Sequence, residues 1–403
     1  MLWEPTLLDL MKRVSMLAII DGPNGSHVDS TRRQIQRKTT NLSIDRRPRI
    51  ETADSLRTPI SRLQPSSCRM KTRCLLFSAV NTVIVSDTEL RARRAGEVLI
   101  QTEISCLSPG TELRCLAGLE IQLGSQNFPF IPGYATVGKV IEADPSAGYL
   151  LGKRVFSTGN RGTTSHHTAW GGHSGHVVAP TDSVMLIPDS LPSGEASLLK
   201  LAAIAYRGCR IAPPRPESTV LVVGLGPIGQ FSARCYAATG ARVLAVDLRP
   251  ERVKIAESAG VEAFLADGNL AAAVHSKLPS GADIVVDATG FAAQLAVSAS
   301  FVREKAWTDD SNEGGRLVVQ GSYGTPVPLP PELCFSRELS VLWPRDSQLS
   351  DMKGVVALLN SSKLSLSGLI DKVYGVDEAP GVYTSFRTNS IPSLTAAFDW
   401  RVS

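Results

Sequence analysis

Between residues 83 and 180, short runs of alternating apolar and polar positions recur. "VIV", "EVLIQTEIS", "ATVGKVIEA", "KRVFST" and "HVVAP" are rich in β-branched residues and are separated by Gly, Pro and Asp turns, which predicts a β-rich first domain. "GGHSGHVV" reads as strand throughout, placing His173 and His176 on opposite faces. After "LIPDSLP" the period lengthens. Helix-forming "SGEASLLKLAAIAYRGCRIA" leads into "TVLVVG", a helix from Pro227, "ARVLAVD", a helix through "ERVKIAESAG", then "DIVVDATG" and "GGRLVVQGS". Strands alternating with helices at this spacing predict βαβ units and a parallel sheet. A helix near "MKGVVALLNSSKL" and a closing "LTAAFDW" return to the first domain.

The fold class predicted is therefore α/β: a β-rich domain over 70–193, completed by 350–403, and a doubly wound parallel sheet over 194–349. Residues 1–69 lack apolar periodicity and read as a disordered basic extension. A transit peptide would match their Arg and Ser content but not their seven acidic residues, and "MKRVSMLAII" has only a minimal apolar core for an export signal. Met70 is an alternative start.

The chain has 403 residues and a net charge of +4, but the charge is unevenly placed. Twelve Lys/Arg face seven Asp/Glu in residues 1–69, so the remainder is close to neutral. The basic leader has no aromatic residue in "STRRQIQRKTTNLSIDRRPRI" on which a base could stack, which argues against nucleic acid as a partner. No apolar run approaches the roughly 18 residues of a membrane span. Seven cysteines without paired spacing point to reduced thiols and a cytoplasmic protein.

"VLVVGLGPIGQ" places Gly224, Gly226 and Gly229 in Gly-x-Gly-x-x-Gly spacing behind an apolar strand, with Pro227 and Ile228 opening a helix. The first glycine allows the tight turn, the second lets backbone amides approach a pyrophosphate, and the third lets helix pack on strand. Asp247 ends the next strand, where its carboxylate accepts from a ribose hydroxyl and repels a 2′-phosphate by about 4 kcal/mol at about 4 Å in an effective dielectric near about 20. NAD is the expected cofactor. NADP stays open, because Arg249 and Arg252 in "DLRPER" are either solvated helix residues or partners for that phosphate.

"SPGTEL", "FIPGYATVGKVIEA", "GKRVF", "GGHSGHVVAP", the glycine fingerprint, "DIVVDATG" and "GGRLVVQGSYG" together resemble the medium-chain dehydrogenase/reductase superfamily across residues 70–403. The resemblance implies a GroES-like catalytic domain and a Rossmann domain, a small-molecule substrate, and a homodimer joined through the cofactor domain. "SPGTEL" is similar to a zinc-poor branch that includes bacteriochlorophyllide dehydrogenase-like proteins. Where zinc members carry their metal ligands, this chain matches Ser108, Tyr134 and Lys200, and no four-cysteine lobe follows "KRVF". No zinc is expected. The remaining histidines, His166, His167, His173 and His176, match no standard zinc spacing.

Without the metal, hydrogen-bond donors must stabilise charge on the reacting oxygen. Lys200, at a vacated ligand position, is a candidate for that role or for a proton acceptor, against an ion pair with Glu112 or a lysine reaching solvent. By the resemblance, Thr111 relays protons, against a plain turn residue in "SPGTE", and Glu112 positions its loop or else transfers protons. Tyr134 either donates its phenol or fills the volume of the lost histidine. His166 and His167 are candidate general bases on a glycine-rich loop, or plain surface residues. Three functions follow: an NAD(P)-linked, zinc-independent dehydrogenase of secondary alcohols, an NADPH-dependent enoyl or quinone reductase, and a dinucleotide-binding sensor or partner subunit without turnover.

Overall fold

A computed structural model of the protein describes residues 69–120, 127–324 and 329–401. The expected extension over 1–69 lies outside the described residues except for Arg69. The N-terminal domain begins with a hairpin, β1 (Met70–Ala79) against β2 (Thr82–Leu90), and continues through β3 (Glu97–Cys106), β4 (Phe130–Ile131), β5 (Thr136–Ala143), β6 (Arg154–Ser157), β7 (His167–Thr168), β8 (His176–Pro180) and β9 (Val184–Leu186). β1 escapes the alternation rule because Cys74, Leu75, Leu76 and Phe77 are all buried, so both of its faces are covered. Strand structure starts only at His176, leaving His173 in the preceding loop instead of on the strand that alternation predicted.

The second domain threads β10 (Thr219–Val223), β11 (Arg242–Asp247), β12 (Glu262–Leu265), β13 (Ile284–Asp287), β14 (Arg316–Val319) and β15 (Ser340–Leu342) into one parallel sheet ordered β12-β11-β10-β13-β14-β15. This is the expected doubly wound sheet. Helices cover its faces, so the four residues of β13 are all buried and read as an unbroken apolar run closed by an acid. Strand order reverses between β10 and β13, which opens a crevice at the carboxyl ends of these two strands.

The chain then returns. β16 (Ile370–Gly375) pairs with β17 (Thr395–Asp399), and β17 pairs antiparallel with β3, giving a sheet ordered β16-β17-β3-β5-β6-β9 with β8 on β3. The helix Leu199–Ile211 joins the two domains through a shared apolar core: Leu199, Ala202 and Ala205 belong to the same cluster as Tyr134 and Phe156 of the first domain and Val220 and Phe231 of the second. No helix among the described residues is long and apolar enough to cross a membrane.

Candidate active site

β10 runs into Gly224, whose φ of 88° places it in the left-handed region and turns the chain towards the helix Pro227–Ala237. A Cβ on Gly229 would stand 1.8 Å from Gly224 O, so only glycine lets helix and turn approach this closely. In front of Gly226 a Cβ would meet nothing within 4 Å. The turn thus leaves open space beside a helix N-terminus with Pro227 and Ile228 in its first turn, an arrangement that suits a pyrophosphate.

Asp247, at the end of β11, is 7% exposed and accepts from Leu225 N at 2.6 Å and Arg249 N at 2.9 Å. Its carboxylate therefore ties the glycine turn to the following loop. The two arginines separate. Arg249 stands at the N-cap position of the helix Pro250–Ser258 without a side-chain capping bond and donates to Asn389 Oδ1 at 2.9 Å, whereas Arg252 brings Nη1 to 3.5 Å from Asp247 Oδ2. Arg252 Nε is buried without a partner among the described residues, so one donor beside Asp247 is unused.

A second group of side chains surrounds Tyr134. Ser108 precedes the helix Pro109–Leu116, which carries Thr111 and Glu112 in its first turn. The Tyr134 hydroxyl donates to Ser108 Oγ and lies 3.3 Å from Thr111 Oγ1. Its ring meets Trp170 edge-on at 4.7 Å, and Trp170 holds φ at 71°, a conformation bulky residues rarely adopt. Burial pushes the Tyr134 phenol well above the ordinary tyrosine range, the charges of Glu112 and Asp346 push the same way, and the bonds to Ser108 and Thr111 oppose. At neutral pH Tyr134 is a donor and not a base.

Lys200 occupies the first turn of the helix Leu199–Ile211 and is only 6% exposed. Its partner is Asp346, with Nζ 2.7 Å from Oδ1, and not Glu112. Glu112 is already committed: it is fully buried and accepts from Ser108 N at 2.8 Å, from the His173 ring at 2.9 Å and from the Tyr383 hydroxyl. Asp346 follows β15, far along the chain from Lys200, and no spacing in the sequence points to the pair.

These residues do not fit zinc. A serine hydroxyl, a phenol that burial keeps protonated and an ammonium paired with a carboxylate offer no set of N, S or carboxylate ligands. The thiol of Cys106 lies 3.5 Å from both Leu107 O and Thr395 Oγ1, and burial pushes it up to about 12. Among the described residues no group of three or more His, Cys, Asp or Glu is placed to hold a metal ion.

His166 and His167 lie elsewhere. They line a groove of about 400 Å3 with Asn127, Phe130 and Arg161, and Thr111, Tyr134 and Lys200 are not among its lining residues. Thr168 and Ala169, just before Trp170, also line this groove. The structure thus brings Ser108, Thr111, Tyr134 and Glu112 together, pairs Lys200 with Asp346, whose charge acts on Tyr134, and leaves the two histidines on the separate groove. His173, Ser105, Tyr383 and Trp400, which join Glu112 in one buried network, were not singled out by sequence reasoning as parts of the site.

Two family profiles match the chain: "Alcohol dehydrogenase GroES-like domain" over residues 94–189 and "Zinc-binding dehydrogenase" over residues 227–361. The chain is 26% identical over 340 residues to 2-desacetyl-2-hydroxyethyl bacteriochlorophyllide A dehydrogenase of Cereibacter sphaeroides, covering 83% of this chain and all of that one. Its fold is similar to that of a short-chain alcohol dehydrogenase from Escherichia coli CFT073 complexed with NADH, at a TM-score of 0.70 and 18% identity, over 82% of this chain and 99% of that one. It is also similar to that of a zinc-binding dehydrogenase from Sinorhizobium meliloti 1021 bound to NADP, at a TM-score of 0.68 and 19% identity, over 82% and 99% respectively. With a β-rich domain and a doubly wound sheet joined in this order, the chain belongs to the zinc-type alcohol dehydrogenase-like family of medium-chain dehydrogenases/reductases.

Proposed function

We propose that this protein is a zinc-independent, nicotinamide-dependent oxidoreductase that interconverts a secondary alcohol and its ketone. The observation that carries this reading is the hydroxyl cluster of Tyr134, Ser108 and Thr111 together with the buried Lys200–Asp346 pair, in which Ser108, Tyr134 and Lys200 match the family's metal-ligand positions by resemblance. A relative named for dehydrogenation at a hydroxyethyl group supports an alcohol as substrate.

Gly224, Gly226 and Gly229, with the amides opening the helix at Pro227, would hold the dinucleotide's diphosphate, and Asp247 its adenosine ribose. When bound, the dinucleotide supplies a hydride acceptor in one direction and a hydride donor in the other. The chain's own residues handle charge and protons. Lys200 places a fixed cation where negative charge develops on the substrate oxygen, and one such donor in a dry site is worth roughly 2.7–4 kcal/mol. Thr111 passes the hydroxyl proton towards solvent. Tyr134, held protonated by burial, keeps the Ser108 and Thr111 hydroxyls in one orientation.

Asp247 favours NAD over NADP. Arg252, 3.5 Å from that carboxylate with an unused Nε, favours a second reading as an NADPH-dependent enoyl or quinone reductase. A cytoplasmic homodimer completes the first reading, joined through β15, which pairs only with β14 among the described strands. The test is a substrate panel with the full-length protein: NAD with secondary alcohols, NADH with ketones, and NADPH with enones and quinones. Turnover of secondary alcohols and ketones supports the proposal, and turnover confined to NADPH with enones or quinones overturns it in favour of the second reading.

A further inference from the structure

Beneath the hydroxyl cluster lies a closed chain of buried polar groups that the proposed reaction does not use directly. Trp400 Nε1 donates to Ser105 Oγ at 2.8 Å, Ser105 Oγ lies 2.7 Å from His173 Nδ1, and His173 Nε2 lies 2.9 Å from Glu112 Oε2. Tyr383 donates to the same carboxylate oxygen. Ser105, His173 and Glu112 are fully buried. One proton arrangement gives every donor an acceptor: Ser105 donates to Nδ1, and His173 carries its proton on Nε2 and donates it to Glu112.

This chain ends at the residues that face the reaction. The other oxygen of Glu112 accepts from Ser108 N at 2.8 Å, which fixes the turn that starts the Thr111 helix. The His173 ring also fills the space in front of Gly133, where a Cβ would stand 2.5 Å from Cδ2, and Gly133, with φ of 95°, immediately precedes Tyr134. Backbone bonds from His173 N to Pro132 O at 3.0 Å and from Gly172 N to Gly133 O at 2.7 Å complete that contact. One imidazole thus touches both segments that carry the hydroxyl cluster.

We propose that His173 is a positioning residue: through Glu112 it sets the backbone carrying Ser108 and Thr111, and through Gly133 the backbone carrying Tyr134, so that the three hydroxyls meet. This rests on the reaction proposed above, because it gives the cluster a geometry to be held for. A carboxylate that loses one of three buried donors rearranges, and a displacement of about 1 Å at reacting groups costs about a hundredfold in rate.

The test compares His173→Phe with His173→Gln in the full chain, since glutamine returns an N–H donor near the place of Nε2. Two readouts are taken: kcat and KM with the secondary alcohol and NAD, and amide exchange at Ser108 and Glu112. His173→Phe is expected to lower kcat about a hundredfold with KM for NAD unchanged and to raise exchange at Ser108 at least about tenfold, while His173→Gln stays within about threefold of the parent in exchange and about tenfold in kcat. Unchanged kcat and unchanged exchange in His173→Phe overturn the proposal, as does His173→Gln behaving like His173→Phe. If the parent turns over no alcohol or ketone, the proposed function fails, and exchange alone decides the positioning claim. If His173→Phe does not fold, Tyr383→Phe removes another donor to the same oxygen, and unchanged exchange at Ser108 in that variant is the overturning result.

Discussion

Lys200 Nζ stands 2.7 Å from Asp346 Oδ1, with the lysine buried and the aspartate side chain 56% exposed. The pair is asymmetric: solvent reaches the anion, while the cation is held inside. Replacing Lys200 by Met keeps the side chain's length and removes its charge. Lys200→Met is expected to lower kcat about a hundred- to a thousandfold, as for loss of a transition-state donor, with NADH affinity unchanged. Asp346→Asn leaves the lysine charged and keeps an amide oxygen as acceptor beside Nζ, so it is expected to cost less than about tenfold. Steady-state kinetics with a fluorescence titration of NADH check both, and parallel loss of binding and turnover in Lys200→Met would mark a structural lysine instead.

Tyr134→Phe deletes the bonds to Ser108 and Thr111 but keeps the ring against Trp170. The expected loss of stability is about 1 kcal/mol near neutral pH. The folded-state pKa of Tyr134 is raised above its unfolded value of 10.0, so the phenol's contribution is complete below that pH and is lost as the pH rises past it. Urea melts at about pH 8 and about pH 11 should therefore show the parent losing more stability between the two than Tyr134→Phe does. Equal losses would mean that the phenol is not desolvated.

Much of this arrangement was legible in the sequence, for reasons that can be traced. Gly224, Gly226, Gly229 and Asp247 are close in sequence because a single βαβ unit builds the turn, so spacing alone revealed it. The strand runs between 97 and 180 were visible because they are short, rich in β-branched residues and bounded by Gly, Pro and Asp turns. β1 was not, since residues 74–77 are buried on both sides. Partners contributed from distant segments left no local signal: Asp346 reaches Lys200 from beyond β15, and Tyr383 and Trp400 reach Glu112 and Ser105 from the returning tail. His166 and His167 had suggestive chemistry, yet their loop faces a different groove.

Asp247 anchors the cofactor turn by its own bonds to Leu225 N and Arg249 N, so a test of its selectivity must keep an acceptor there. Asp247→Asn removes the charge and keeps one of the two acceptor oxygens. The NADPH-to-NADH affinity ratio is expected to rise at least about tenfold, with Arg252 free to meet the 2′-phosphate. Paired titrations with the two nicotinamides check it, and an unchanged ratio would show that the carboxylate does not face the ribose.

Burial pushes the thiols of Cys74, Cys106, Cys115 and Cys209 up to about 12. At about pH 8 these thiols stay protonated, so iodoacetamide should label partly exposed Cys334 well before any of the four, as peptide mapping would show. The unfolded thiols titrate near 9.0 and the folded ones near 12, so their contribution is complete below about pH 9 and is lost as the pH climbs through that window. A melting temperature that holds steady from about pH 9 to about pH 12 would contradict this.

In the proposed reaction the side chains around Tyr134 and Lys200 carry out the charge stabilisation that zinc supplies in other members of the family. The most direct measurement is zinc per chain, by elemental mass spectrometry, against kcat for the best secondary alcohol before and after dialysis with a chelator. The expected result is unchanged kcat in protein holding far less than one zinc per chain, and no gain when zinc is returned. Activity that falls with the metal and recovers in proportion to added zinc would contradict it.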